Sequence, residues 1–332
     1  MKTQITTTNS GGAALANLQD LQQAAIGFIG RSRAANTAKA YDADWQDFES
    51  WAAAHGVETR PAKPESVVMY VTHLATSGRR VATIERRLVT ISQRHEAEGY
   101  DSPTRSLLVR TTMKGIRRSA QDQEHADKRG GRKTPVMTEH LKDWINGLTG
   151  QPIDTRNKAM ILLGFAGAFR RSELIALNIN DLEFSSDGVT VTIRKSKTDQ
   201  EGLGRKVAIP FGTYPQTCPV IALQAWLKLA RIESGPVPVF RSIHRGGKIS
   251  DKRLDDRMVA ITVKAAAKRL GLNPDDFGGH SLRAGHVTQA IKGGATELNT
   301  MRQTGHKSVN IFRGYYRDAD LFTNNSAANL GL

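Results

Sequence analysis

The chain has a single cysteine, Cys218, in 332 residues. One thiol excludes an internal disulfide and any cysteine-rich metal site, so the sequence fits a reducing compartment and predicts no structural metal. Long apolar runs are also missing. No window approaches eighteen uninterrupted apolar residues, so there is no candidate for a helical membrane span. Acids are scarce relative to bases: 32 Asp and Glu stand against 47 Lys and Arg, giving a formal net charge of +15 and a pI near 10.1. A field of that sign draws polyanions, and nucleic acid is the commonest of them. Met1 to Asn17 lacks the apolar core of a signal peptide. Rich in Thr, Gly, Asn and Ala, it is expected to form a disordered leader over 1–16 of a cytoplasmic protein.

What the sequence does contain is 39% hydrophobic and 24% charged residues, the balance of a globular protein long enough for two domains. Asn36-Thr37 reads as a helix cap, and Tyr41, Trp45, Phe48 and Trp51 follow at spacings of four, three and three, an aromatic stripe on one helix face. Pro64-Glu65 opens another helix that Ser77-Gly78 ends. Thr83 to Ala97 and Leu107 to Arg118 complete a helical domain over 17–120, with a first helix near Leu18 to Ile29. Between Arg79 and Arg118 there are ten Arg and Lys against four acids. Most such runs are solvated helix faces. The rival reading is a phosphate-gripping face, carried here by Arg79, Arg80, Arg86, Arg87, Lys114, Arg117 and Arg118. The segment 121–136 is polar, glycine-bearing and aperiodic, the composition of a linker. Its Arg132 and Lys133 could lie along a phosphate backbone.

The second half opens with helices over Thr138 to Leu148 and Arg156 to Phe165, then a short one from Phe169 to about Ala176. Val189 to Ile193 alternates apolar with polar residues and reads as a strand, paired with Lys206 to Pro210 across a loose polar turn. The remainder reads as mostly helical, with helices over Val220 to Ile232, Arg253 to Leu270 and Leu282 to Lys292.

Four segments carry residue types suited to chemistry on a phosphate. Arg170 has Glu173 one helical turn later, where a carboxylate can orient a guanidinium. Lys195 and Lys197 lie in the strand turn. His280-Ser-Leu-Arg283 follows a pair of glycines. Gly305-His306 precedes Tyr315 by nine residues, with Tyr316 alongside. Each alone has a bland explanation: a surface ion pair, an exposed basic loop, a helix cap, a core tyrosine. Their order resembles the tyrosine recombinase family, which includes phage and bacterial integrases, Xer recombinases and Cre. The resemblance spans nearly the whole chain, and Gly305-His-Lys-Ser-Val-Asn-Ile-Phe-Arg-Gly-Tyr315 is especially similar to the Cre segment, although Cre carries tryptophan in place of His306.

The resemblance implies a mainly α fold with a small β-sheet: a helical core-binding domain and an α+β catalytic domain over 137–317, forming a two-domain DNA clamp. It implies that Arg170, Lys197, His280, Arg283, His306 and the nucleophile Tyr315 form the site, with Glu173 supporting it. Ser172-Glu173-Leu174 sets the register that selects Arg170 over Arg171, and Ala168 stands where the family motif has glycine. Lys195 is the alternative to Lys197, and Tyr316 to Tyr315. The implied activity is site-specific recombination of double-stranded DNA through a 3′-phosphotyrosyl intermediate and a Holliday junction. It needs no ATP, metal or cofactor. The implied assembly is a homotetramer on paired sites, in which a tail helix over 318–332 docks into a neighbouring subunit. The competing readings are a type IB topoisomerase and a DNA-binding regulator without catalysis.

Overall fold

The computed structural model describes residues 35–126, 133–194, 196 and 204–315, together with Leu21 and Ala24. The expected leader, most of the expected first helix and the expected tail lie outside the described residues, as do Arg132, Lys195, Lys197 and Tyr316. The chain divides into two compact units, Met1–Gly130 and Gly131–Leu332. Its architecture is mainly helical with two small antiparallel sheets. Among the described residues no helix is long and apolar enough to cross a membrane.

The first unit contains α1 (Ala35–His55), α2 (Pro64–Thr76), α3 (Val81–Ala97) and α4 (Leu107–Ala126), with a 3-10 turn at Pro103–Arg105. Pro64 starts α2 where its missing N–H is harmless and its fixed φ suits the helix. The aromatic stripe of α1 supplies the core. Trp45, Phe48 and Trp51 are buried, and Tyr70 of α2 packs 4.9 Å from Phe48 and 5.2 Å from Trp51 between ring centroids. Tyr41, at the end of the stripe, is only half-buried. Helix α4 runs beyond Arg118 to Ala126, inside the stretch read as linker. Residues 116–126 contain no Gly or Pro, and their Ala, Gln and Glu favour continuing the helix.

The basic run of this unit is not a uniform face. The expectation that Arg87 lies on a DNA-facing surface is corrected: its side chain is 9% exposed, its guanidinium pairs with Asp47, and it donates to the Tyr70 hydroxyl at 2.9 Å. Its Nε lies 3.6 Å from Asp44. Arg86 binds the same buried Asp44 with two hydrogen bonds of 2.7 and 2.8 Å, and Arg117 pairs with Glu85 at 2.8 Å. Arg79, Arg80, Lys114 and Arg118 are exposed.

The second unit contains α5 (Thr138–Asn146), α6 (Pro152–Ala166), α7 (Arg171–Ala176), α8 (Pro219–Leu229), α9 (Arg257–Arg269), α10 (His280–Lys292), α11 (Glu297–Thr304) and α12 (Val309–Arg313). Helix α6 is its spine. Ala159 to Gly164 are all buried, and the helix packs against α8 and α10. The expected hairpin is present as β2 (Gly188–Ile193) and β3 (Arg205–Pro210), with Val189 opposite Ile209 and Ile193 opposite Arg205. Val189, Val191, Ile193, Val207 and Ile209 turn inward, as period-two alternation requires. A three-residue strand, β1 (Leu182–Phe184), extends the sheet at the β2 edge. A second sheet pairs β4 (Arg241–Ile243) with β5 (Ile249–Arg253), mostly in the stretch between two expected helices to which the sequence assigns no element. Three residues are too few to display a period, and Ile-Ser-Asp-Lys-Arg is too polar to show one. Arg253, expected to open a helix, instead ends β5. It donates to the carbonyls of Ile175 at 2.5 Å and Leu177 at 3.0 Å, the open end of α7.

Replacing Arg87 with alanine leaves Asp47 and Tyr70 without their buried partner, and is expected to destabilise the chain by about 3 kcal/mol in urea unfolding. Arg79→Ala, on the exposed surface, is expected to change stability by less than about 0.5 kcal/mol in the same measurement.

Candidate active site

The first catalytic segment is aimed by a turn. Helix α6 ends at Ala166, and the chain reverses through Gly167 and Ala168 into Phe169. A Cβ on Gly167 would fall 2.2 Å from the Phe169 ring, so only glycine fits there. Ala168 has φ of +49°, in the left-handed region where a Cβ costs about 1 kcal/mol. Glycine is free of that cost, which is a physical reason for the motif's glycine at this position. The strained residue has a use: its carbonyl accepts from Arg283 Nη1 at 2.8 Å.

Arg170 then caps α7 in extended conformation. Glu173, one turn on and 3% exposed, reaches back to the Arg170 backbone N–H at 3.1 Å and to its guanidinium Nη1. One carboxylate thus caps the helix and fixes the arginine. Nη1 also donates to Ser196 Oγ at 3.0 Å, so the strand turn touches the site although Lys195 and Lys197 lie outside the described residues. Arg171 is exposed and turns away, pairing with Asp256 at 3.2 Å.

His280 is the first residue of α10, and Arg283, 1% exposed, lies in the same turn. Burial, with the nearby Arg170 charge second, lowers the Arg283 pKa to about 10, still protonated at neutrality. Helix α11 is closed by Gly305 at φ +71°, and the N–H groups of Gly305 and His306 both return to the Met301 carbonyl. That turn delivers His306. Its Nε2 lies 3.0 Å from Arg283 Nη2 and its Nδ1 2.8 Å from Thr304 Oγ1. Arginine only donates, so Nε2 accepts. The Thr304 hydroxyl donates to the Thr300 carbonyl at 2.8 Å and therefore accepts from Nδ1–H. The hydrogen-bond network assigns His306 as a neutral Nδ1–H tautomer. Burial, reinforced by Arg283, lowers its pKa to about 3, in agreement.

Tyr315 follows α12. Phe312, fully buried, packs under the His306 ring, and the Tyr315 backbone N–H returns to its carbonyl at 2.9 Å. The Tyr315 ring lies 5.1 Å from that of His306, and its hydroxyl 3.1 Å from His280 Nε2. Arg170, Glu173, His280, Arg283, His306 and Tyr315 therefore converge from segments more than one hundred residues apart. Lys133 of the second unit is exposed and donates to the Asp275 carbonyl. Ser196, Thr304, Arg205 and Gln303 also belong to this neighbourhood, and sequence reasoning missed them. Their residue types are common, and nothing in their spacing marks them. Among the described residues no group of three or more His, Cys, Asp or Glu could hold a metal ion.

Comparison with known proteins places the chain in a family. The phage integrase family matches residues 136–321. The chain is 38% identical over 307 residues to the integrase/recombinase XerD homolog of Selenomonas ruminantium, a similarity covering 89% of this chain and 85% of that protein. It is 26% identical over 306 residues to the tyrosine recombinase XerD of Corynebacterium glutamicum, covering 86% and 89%. Among solved structures it is similar to the XerH site-specific recombinase bound to a palindromic difH substrate in a post-cleavage complex. There the TM-score is 0.58 at 18% identity, covering 81% of this chain and 72% of that one.

His306 and His286, whose pKa burial lowers to about 4, give the catalytic unit an acid-sensitive stability. An imidazole whose folded pKa lies below its unfolded value binds fewer protons when folded. Stability is then complete above about pH 6.5 and falls as pH drops toward the folded values. Melting temperature is expected to decline between about pH 6.5 and pH 4. His306→Asn is expected to flatten part of that decline, leaving the His286 share.

Proposed function

The chain belongs to the phage integrase family, and we infer that it is a site-specific tyrosine recombinase in which these converging side chains form one phosphoryl-transfer site. The observation that carries the assignment is the Tyr315 hydroxyl held 3.1 Å from an imidazole, next to two fixed guanidiniums. A phosphodiester is already negative and becomes more so when attacked, which is why it resists hydrolysis. Arg170 and Arg283 offer paired donors to the non-bridging oxygens, and their hold strengthens as charge accumulates there. Tyr315 Oη bonds to phosphorus, and the bond from phosphorus to the 5′-oxygen breaks. His280 Nε2 is placed to take the tyrosine proton. The departing 5′-oxygen needs a proton, a role suited to Lys197 on the strand turn. His306 acts through Arg283: its lone pair holds Nη2 and leaves the guanidinium's charge undiminished.

The 3′-phosphotyrosine conserves the energy of the broken bond, so a 5′-hydroxyl from another strand reverses the step without ATP. Exchange between two duplexes, one strand pair at a time, calls for four protomers, and the segment after Asp318 is proposed to link them. In the first unit the exposed Arg79, Arg80, Lys114 and Arg118 are the proposed phosphate contacts.

A randomised duplex pool, bound and sequenced, defines the DNA site. A nicked suicide substrate of that sequence is then expected to trap a covalent adduct with the wild-type protein and none with Tyr315→Phe. An adduct that persists in the phenylalanine variant would transfer the nucleophile's role to Tyr316. Deleting the residues after Asn324 is expected to leave binding to the selected duplex intact and to abolish ordered assembly in gel-shift and recombination assays. Recombination at the full rate by the truncated protein would refute the docking role.

A further inference from the structure

Arg205 opens β3, opposite Ile193 at the base of the strand turn. Its side chain is 20% exposed. One guanidinium nitrogen, Nη1, donates to the Gln303 carbonyl in the last turn of α11 at 2.8 Å. The other, Nη2, is buried. Among the described residues it has no hydrogen-bond partner, and it lies 3.5 Å from Glu173 Oε2. Glu173 is the carboxylate that holds Arg170. Gln303 reinforces the same junction, because its side-chain Nε2 donates to the Ala166 carbonyl at 3.3 Å and to the Ala208 carbonyl at 3.1 Å. The turn that delivers His306 is fitted against this arginine: a Cβ on Gly305 would stand 2.9 Å from Arg205 Nε. Arg205 therefore touches both halves of the site, the carboxylate behind Arg170 and the helix end before His306.

We propose that Arg205 is a positioning residue for strand cleavage, sharing the Glu173 carboxylate with Arg170 and tying α11 to β3 so that Arg170 keeps part of its charge and His306 keeps its place. The inference rests on the recombinase reading of the site. Its logic is charge balance. A carboxylate bound to one arginine makes a neutral pair, which attracts a phosphate poorly. Three guanidiniums, Arg170, Arg205 and Arg283, around the one carboxylate Glu173 leave a net charge of +2. Attack on a phosphodiester produces a phosphorane of charge −2, so the surplus matches the transition state rather than the singly charged ground state. Arg205 Nη2 is buried against Glu173 and supplies this charge from behind Arg170. Burial lowers the Arg205 pKa and Glu173 opposes that, as expected of a cation retained inside the fold by that carboxylate.

The test uses the duplex that the wild-type protein enriches from a randomised pool, made as a nicked suicide substrate. Arg205→Ala is expected to form the covalent adduct at least tenfold more slowly at saturating DNA, with affinity for the duplex within twofold of wild type. Arg205→Lys retains the charge, whereas Arg205→Gln retains an N–H donor for the Gln303 carbonyl but no charge. Lysine is expected to recover more of the cleavage rate than glutamine. If the alanine variant fails to show a cooperative melt, the lysine and glutamine variants decide the matter. Cleavage by Arg205→Ala within twofold of wild type, glutamine rescuing as well as lysine, or a loss of affinity in step with the loss of rate would each overturn the proposal. Tyr315→Phe runs alongside with Arg205 intact. An adduct there overturns the site reading itself, whereas an inactive Tyr315→Phe with a fully active Arg205→Ala overturns only the role of Arg205.

Discussion

Burying the Arg283 guanidinium is the constraint to which the rest of the catalytic unit conforms. Removing such a cation from water costs several kcal/mol unless its N–H groups are met. Here they are met by neutral acceptors, the Ala168 carbonyl and the His306 lone pair. The first requires residue 168 to adopt a left-handed conformation, which places the turn before Arg170. The second requires His306 to keep its proton on Nδ1, which requires the Thr304 hydroxyl to accept it and the Thr300 carbonyl to accept from Thr304. The left-handed Gly305 then sets the spacing between Thr304 and His306. Strain, tautomer and helix end are thus consequences of one buried charge.

Arg87 shows what the same residue type does with other partners. It too is buried, but among Asp44, Asp47 and the Tyr70 hydroxyl, so its charge is cancelled and its effect is to lock α1, α2 and α3 together. Arg283 has its geometry fixed and its charge left over. Neutral partners alone do not make a site, however. Arg156 is 2% exposed and donates to Asn157 Oδ1 and the Arg241 carbonyl, and burial lowers its pKa to about 10 as well. What sets Arg283 apart is its company: Arg170 and Tyr315 stand close enough to bear on its charge, and His306 accepts its hydrogen bond. A second cation and a tyrosine hydroxyl beside a buried guanidinium make a candidate place for an anion to react.

The residues that converge at the candidate site carry a signal in the sequence because chemistry on a phosphate would dictate both their type and their local spacing. Arg170 and Glu173 share a helical turn, His280 and Arg283 share another, and His306 and Tyr315 are separated by one short helix. The residues that hold them were not legible. Arg205 meets Gln303 across 98 positions, and Gln303 meets Ala166 across 137, through carbonyls that any residue could offer. The basic run from Arg79 to Arg118 was legible as charge but not as partners, since Asp44 and Asp47 lie about forty positions upstream of the arginines they bind. For the fold, long apolar periodicities located the helices and the main hairpin. The second sheet escaped because its strands are short and largely polar, with only Ile243 and Ile249 packing on the core.

The two histidines of the motif look equivalent in sequence, and the structure separates them by solvent and by partner. His280 begins a helix, is exposed, and points Nε2 at the tyrosine hydroxyl. An exposed imidazole can exchange a proton with water as well as with the tyrosine hydroxyl it faces. His306 is partly buried, has one nitrogen on a threonine that is itself committed to a carbonyl, and has the other on Arg283. Protonating it would place a second positive charge against the Arg283 guanidinium and break the hydrogen bond that orients it. The pressure that depresses its basicity is therefore the same one that makes it useful as a holder. A residue whose task is to accept from Arg283 need only be neutral and correctly shaped. Its donor to threonine and its lone pair to arginine are structural features, and the imidazole that faces the Tyr315 hydroxyl is that of His280.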